Sequence, residues 1–432
     1  MEIYDRLYGK LEFPSIIESL LDCPGVLRLR EIGMSNIPVH FSPGFSSISR
    51  YEHTLGVCYL ADQFSAIHGL SNKERLELMI AALYHDVGTP PFAHLFEDIL
   101  KSKFQFDHEE HIYNVLSNKS NDIGKRHIQI YETMTLKLNK VCQSREAEKI
   151  GIDLNNIIDL IAGKSNLSYG RLINSNSVDL DNIDNIVRGA SCLCPSDKWF
   201  SLPMKILHSY SIIDGKYSLE CAPQNYIDPW IKARETIYEI IYDSIIDCAI
   251  EVMYKDTIKI LFLNNRLNEA DWKMTESQLA NVIKEDECAG KIYTKIKLLK
   301  PYQCLFLFDL LCHSQSEPEN IAKDIKILIE TYFLSLKRIS NNSQHLEFGR
   351  IKIEESDDLI LSVTNESRRI IYSIKKNRCK RHVKNKPDAN GLPYILGFFS
   401  SVEVSIKADE KKVLLSQIME TFPQVIRIRH KF

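Results

Sequence analysis

The sequence predicts a mainly α-helical body reaching to about residue 340 and a smaller mixed α+β region from there to residue 432. Apolar residues recur at helical spacing through most of the body. Beyond the polar stretch SNNSQ (340–344) the composition shifts to β-leaning runs. No internal repeat and no low-complexity tract points to another architecture.

The elements follow in chain order. Residues 73–85 place Leu76, Met79, Ile80 and Leu83 at i, i+3, i+4 and i+7, one apolar stripe of a helix. Residues 229–254 read as one long helix opened by a proline near its first turn. Residues 274–285 begin with Thr275 and carry Gln278 three positions later, a capping-box pattern. Helix is expected again at about 301–313 and 318–339. After the shift, HLEFGRIKI, LILSV and RRIIYSI lean toward strand. A basic run, KKNRCKRHVKNK (375–386), leads into the turn-rich PDANGLP. SSVEVSIKA alternates as a strand would, and KKVLLSQIMETF is amphipathic. The expected domains are therefore 1–340 and 341–432, the second regulatory or oligomerising.

Composition sets outer limits. Hydrophobic residues make up 44% and charged residues 26%, ample for a packed core and wrong for global disorder. Fifty-seven acids against fifty-four bases leave a net charge of −3, which argues against a chain built as a whole to coat nucleic acid. Eleven cysteines without framework spacing fit reduced thiols of the cytoplasm. The opening MEIYDRLYGKLEF has no apolar signal core, and CLFLFDLLC is too short to span a bilayer, so no membrane association is expected.

Neither G-x-G-x-x-G nor G-x-x-x-x-G-K-[ST] occurs, and His108-Glu109-Glu110-His111 is one residue short of a zincin motif. What stands out is a set of histidines and aspartates. His85-Asp86 closes the 73–85 helix and runs into the Gly/Pro-rich turn VGTPPFAH. His53 lies upstream in SRYEHTLGV. Downstream, NSVDLDNIDNIVR sets Asp179, Asp181 and Asp184 among apolar residues that imply burial. Asp181 and Asp184 are one helical turn apart on one face. Buried carboxylates are unstable unless paired or on a metal. Two imidazoles and two carboxylates suit a divalent ion such as Mn, Fe, Mg or Zn, with positions left for water and phosphate oxygen. Each piece alone is ordinary in a helical protein; the order and spacing together are not.

With these motifs the chain resembles the HD-domain metal-dependent phosphohydrolases, and within them the deoxynucleoside triphosphate triphosphohydrolases of the SAM-and-HD-domain type, without a SAM domain. YDRLYGKLEF and the following LRLREIG look like that family's opening segment. SPGFSSISRYEHTLGV, LYHDVGTPPFAH, FDHEEH and VDLDNIDNIVR resemble its four ordered blocks, and the likeness covers about residues 3–340. It implies an HD-domain helical bundle with a short β excursion in 200–250. It also implies His53, His85, Asp86 and Asp181 as metal ligands, with Arg50 on substrate phosphate. His94 and His108 then lie near the scissile phosphoester, Glu109 holding His108, and imidazole suits proton transfer there.

The departures fall on the substrate side. Thr89 replaces a second histidine of the HD block, and Asn182 and Asn185 stand where a lysine and a tyrosine hold the triphosphate tail. The block ends Arg188-Gly189 rather than Arg-Asp. The resemblance thus implies hydrolysis of a deoxynucleotide, release of triphosphate from a deoxynucleoside triphosphate being the first reading. A monophosphate or signalling nucleotide is the second, and a sensing or nucleic-acid-binding module with a structural metal the third. Family members of this type form homo-oligomers through nucleotides bound between subunits, which adds an allosteric nucleotide to the expected partners. The seven basic residues of 375–386 stay open between a solvated loop, such a nucleotide site and a single-stranded nucleic-acid contact.

Overall fold

The computed structural model describes residues 2–37, 40, 42–106, 138–175, 178–314, 316–340, 370–376, 392–401 and 408–428. The chain forms two compact units, Met1–Ile237 with Lys255–Tyr293, and Tyr238–Tyr254 with Thr294–Phe432. The expected boundary at residue 340 coincides with the end of the Glu317–Ser340 helix, inside the second unit.

The first unit is helical apart from two short hairpins. Strands β1 (Ile3–Asp5) and β2 (Gly9–Leu11) pair antiparallel, with Gly9 at φ 75° in the turn. The helix Arg50–His68 starts on the N-cap Ser49 and stops at Gly69, whose φ of 66° needs no Cβ penalty. Ser71 and Glu74 then form a reciprocal capping box that starts the next helix, Asn72–Tyr84. Ser71 and Gly69 thus fix where the two helices meet; the helices pack on each other, and Leu55, Leu76, Met79 and Leu83 are among their buried residues. The helix Leu180–Leu193 lies against Arg50–His68 and completes the bundle around the site.

The short β excursion is β3 (Ser211–Ile213) and β4 (Lys216–Ser218). Asp214 at φ 50° and Gly215 at φ 75° form its two-residue turn, the Asp-Gly pattern that matches strand twist. The capping box foreseen at Thr275 and Gln278 opens the helix Glu276–Glu285.

Two expectations fail for local reasons. The helix foreseen over 229–254 is two helices, Gln224–Asp243 and Ile245–Leu263. Ser244 divides them, because its hydroxyl pairs with Asp247 and accepts the Asp247 N–H, a new N-terminal cap. The helix foreseen over 301–313 is strand β5 (Gln303–Cys312). A short apolar run carries no period that separates a buried strand from a buried helix.

In the second unit β5 lies between β7 (Leu392–Ser400) and β8 (Val425–Ile428), with β6 (Ile370–Lys376) on the far side of β7. All pairings are antiparallel. Phe306, Phe308 and Leu310 pack with Ile325 and Ile329 of the Glu317–Ser340 helix and with Leu414 and Ile418 of the helix Ala408–Thr421. HLEFGRIKI, LILSV, most of the basic run and most of SSVEVSIKA lie outside the described residues. No helix among the described residues is long and apolar enough to cross a membrane. The ten described cysteines are free thiols.

Candidate metal centre

His53 is placed by its helix cap. The Ser49 hydroxyl accepts the Glu52 N–H at 3.2 Å, fixing the first turn of Arg50–His68. His53 sits in that turn, 1% exposed. Its Nδ1 is 2.7 Å from Asp184 Oδ2 and its Nε2 is 2.8 Å from Asp181 Oδ1. Burial opposes charge on this ring, yet the two carboxylates outweigh it and push its pKa up to about 9.

His85 ends the Asn72–Tyr84 helix as its C-cap. Its Nδ1–H donates to the Ala82 carbonyl at 2.7 Å, which leaves the lone pair on Nε2. That Nε2 is buried and has no hydrogen-bond partner. It lies 3.7 Å from Asp181 Oδ1, and the His85 ring meets the His53 ring edge-on at 5.5 Å. Burial lowers the His85 pKa less than Asp86 and Asp181 raise it.

Asp181 and Asp184 differ by environment. The Asp181 side chain is 34% exposed and opens toward the two imidazoles, whereas Asp184 is fully buried. Asp184 takes Arg188 Nε at 2.8 Å and Nη2 at 2.9 Å, together with the Tyr8 hydroxyl at 2.8 Å. Burial alone would raise its pKa; Arg188 and His53 bring it down to about 2. The remaining Arg188 nitrogen reaches Asp5 at 2.8 Å and Glu52 at 2.9 Å. This network needs Gly56: a Cβ there would collide with Asp184 Oδ1 and Arg188 Nη2.

Asp86 sits on the turn after His85, its Oδ2 3.6 Å from His85 Nε2. Arg50 Nη1 engages both Asp86 oxygens and the Thr89 hydroxyl donates to Oδ1 at 3.0 Å. Despite burial, the Arg50 and histidine charges hold its carboxyl well below the usual range. Arg28 fastens the same turn from behind by donating to the carbonyls of Val87 and Thr89.

The turn continues through Phe92 (φ 58°) and Ala93 (φ 46°), two left-handed non-glycine residues in a row that aim His94 outward. His94 Nδ1 is 2.9 Å from Glu97, and its side chain is 51% exposed. Asn182 uses its side-chain amide on Asp179 at 2.8 Å, within the cap of its own helix. Asn185 is half-buried on the same helix. His108 and Glu109 lie outside the described residues.

The donor atoms of His53, His85 and Asp181 lie within 4.8 Å of one another. Two imidazole nitrogens and a carboxylate oxygen form a borderline ligand set that suits divalent ions. The decisive atom is His85 Nε2, a buried lone pair that the fold leaves unsatisfied. These residues fit a divalent cation.

Residues 50–189 match the family model described as HD domain. This stretch is an HD domain. HD domains bind divalent metals, and the histidine–histidine–aspartate cluster lies inside the matched span. The chain is similar to the deoxynucleoside triphosphate triphosphohydrolase SAMHD1 homolog of Dictyostelium discoideum, 27% identical over 244 residues, 50% of this chain and 44% of the relative. It is similar to the Bos taurus deoxynucleoside triphosphate triphosphohydrolase SAMHD1, 32% identical over 143 residues, 28% of this chain and 23% of that one. The chain thus spans less than half the length of these relatives. An uncharacterized protein of Mycoplasma genitalium, MG461, is 25% identical over 355 residues, 77% of each chain. The crystal structure of a hypothetical protein from Aquifex aeolicus superposes with a TM-score of 0.57 at 15% identity, covering 97% of this chain and 99% of that chain. That likeness shows a shared fold.

The sequence names Arg188 only as the end of the last block, gives no role to Tyr8 or Gly56, and leaves Asp184 without a partner. Two of these carry a legible signal. Asp184 and Arg188 are an i, i+4 pair in an apolar helix, and Gly56 is a glycine inside a helical pattern, which usually marks close packing. Tyr8 carries none, since its contact to Asp184 spans 176 positions.

Proposed function

We propose that the protein is a metal-dependent phosphohydrolase that converts deoxynucleoside triphosphates to deoxynucleoside and triphosphate. The observation that carries this reading is the buried, unpartnered Nε2 of His85 beside His53 and Asp181. The names of the SAMHD1 relatives support the substrate class. His53, His85 and Asp181 would hold the cation, with Asp86 joining when its carboxylate leaves Arg50. A bound divalent ion supplies an activated water and neutralises charge at the phosphorus.

The protein's own groups do the rest. Arg50, released from Asp86, offers its guanidinium to a phosphate oxygen. His94, held through Nδ1 by Glu97, presents Nε2 for proton delivery to the leaving oxygen, a role His108 and Glu109 would share. Asn182 and Asn185 line the phosphate side. Control of nucleotide pools, with use in antiviral defence, is the biological role this chemistry suits. A homo-oligomer regulated by an allosteric nucleotide is the expected assembly, in the cytoplasm.

One observation favours a second reading. Because the Asn182 amide is committed to Asp179, it gives weak purchase on a triphosphate tail, so the same centre could cleave a monophosphate or signalling nucleotide. Product analysis decides. The protein is incubated with Mn(II) or Mg(II) and each deoxynucleoside triphosphate, singly and mixed. Triphosphate with deoxynucleoside is the expected result; orthophosphate or pyrophosphate release overturns it in favour of the second reading.

A further inference from the structure

We propose that the N-terminal hairpin tunes this centre, with Tyr8 and Asp5 acting as positioning residues that hold the Asp184–Arg188 pair behind His53 and thereby set its affinity for a divalent cation. The inference rests on the metal reading above.

The chain of contacts is continuous. Asp184 Oδ2 accepts from His53 Nδ1–H at 2.7 Å, which leaves Nε2, the nitrogen 2.8 Å from Asp181 Oδ1, as the atom that would turn to a cation once its proton is lost. Asp184 Oδ1 is held by Tyr8 at 2.8 Å and by Arg188 Nη2 at 2.9 Å. Tyr8 comes from the turn between β1 and β2, and Asp5 builds that turn. One oxygen of Asp5 accepts the Leu7 N–H at 2.7 Å and the Tyr8 N–H at 2.9 Å. Its other oxygen accepts from Arg188 at 2.8 Å. A single carboxylate therefore shapes the turn that delivers Tyr8 and grips the arginine that orients Asp184. Arg6, in the same turn, adds a bond to Glu52 at 2.9 Å, itself a partner of Arg188.

The coupling runs both ways. Strands of three residues are too short to hold together unaided, so the hairpin keeps its place through these buried contacts. The Tyr8 ring is seated independently of its hydroxyl, 4.9 Å from Tyr59 and 5.6 Å from the Arg188 guanidinium carbon. Removing the hydroxyl alone thus loosens Asp184 without emptying the site.

The experiment is calorimetric titration of the full chain with Mn(II) alone. Tyr8→Phe should weaken Mn(II) binding by up to about tenfold, the low end for disturbing Asp184, the outer partner of His53. Its circular dichroism should match the parent. Asp5→Asn should shift affinity the same way, and Tyr4→Phe, 71% exposed on the hairpin, should not. In turnover assays the Mn(II) requirement of Tyr8→Phe should rise while KM for the nucleotide stays, a split that general loosening would not give. Parental affinity in folded Tyr8→Phe and Asp5→Asn overturns the inference alone. Failure of the parent to bind Mn(II) overturns the metal reading and this inference with it.

Discussion

Arg50 Nη1 lies 2.7 Å from each oxygen of Asp86, and both side chains are buried. A pair this deep has given up its hydration, so each charge depends on the other. It also joins the expected phosphate-binding arginine to the expected fourth metal ligand. If Asp86 joins the proposed cation site, the cation and Arg50 would compete for one carboxylate.

That competition gives the first prediction. Arg50→Ala should destabilise the metal-free protein by about 3–5 kcal/mol, the range for leaving a buried charge unpaired. With saturating Mn(II) the loss should shrink, because the cation then balances Asp86. Urea unfolding in EDTA and in Mn(II) measures both values, and an equal loss in the two would refute the shared carboxylate.

Gly56 allows the helix carrying Asp181 and Asp184 to approach the helix carrying His53. A methyl group there would meet Asp184 and Arg188, whose hydrogen bonds leave neither free to move. Gly56→Ala should lower stability by at least about 2 kcal/mol, near the upper range for overpacking, and should abolish Mn(II) binding. Retained binding would mean that the ion-pair network is not needed to set His53.

Much of this was readable from local sequence, and the remainder was not for identifiable reasons. Ser71 with Glu74 and Thr275 with Gln278 announce helix starts because capping is a short-range interaction. His53, His85 and Asp181 stand out because three such residues in ordered motifs are rare. Strand β5 reads as helix in the sequence, since both faces are buried and its pairing partners lie 80–120 positions away. Asn182 is expected as a substrate contact, and what the sequence does not reveal is that its side-chain amide also donates to Asp179, the buried cap of its own helix. The commitment of Asp86 to Arg50 is likewise a three-dimensional fact that spacing does not encode.

Asp286 carries the pH prediction. It caps the helix Glu287–Lys297, accepting N–H groups of Ala289 at 2.8 Å and Cys288 at 3.0 Å and the Asn264 amide at 2.8 Å. Burial pushes its pKa up, but these donors outweigh burial and hold it below the usual aspartate value. A depressed folded pKa gives stability that is present above the unfolded value of about 3.9 and is lost as pH falls through the folded one. Asp286→Asn should keep most of the cap yet flatten the acid limb of the stability–pH curve below about pH 4. Asp286→Ala should lower stability by about 1 kcal/mol at neutral pH. An unchanged acid limb in Asp286→Asn would assign the acid sensitivity elsewhere.

Asp179 and Asp181 lie two positions apart on the same segment, and their replacement separates fold from chemistry. Asp179 is buried and accepts four hydrogen bonds, two from Ser175 and two from Asn182. Asp179→Ala should therefore lower stability by about 1–2 kcal/mol through loss of the cap. Asp181 caps nothing; it is half-open and faces the two imidazoles. Asp181→Ala should leave the chain folded, because His53 keeps its bond to Asp184, although its Nε2 loses the Asp181 partner. Mn(II) affinity should fall by more than the 10–100-fold typical of an outer partner, roughly beyond calorimetric detection, and turnover should vanish with it. Turnover surviving in Asp181→Ala would show that another carboxylate completes the centre.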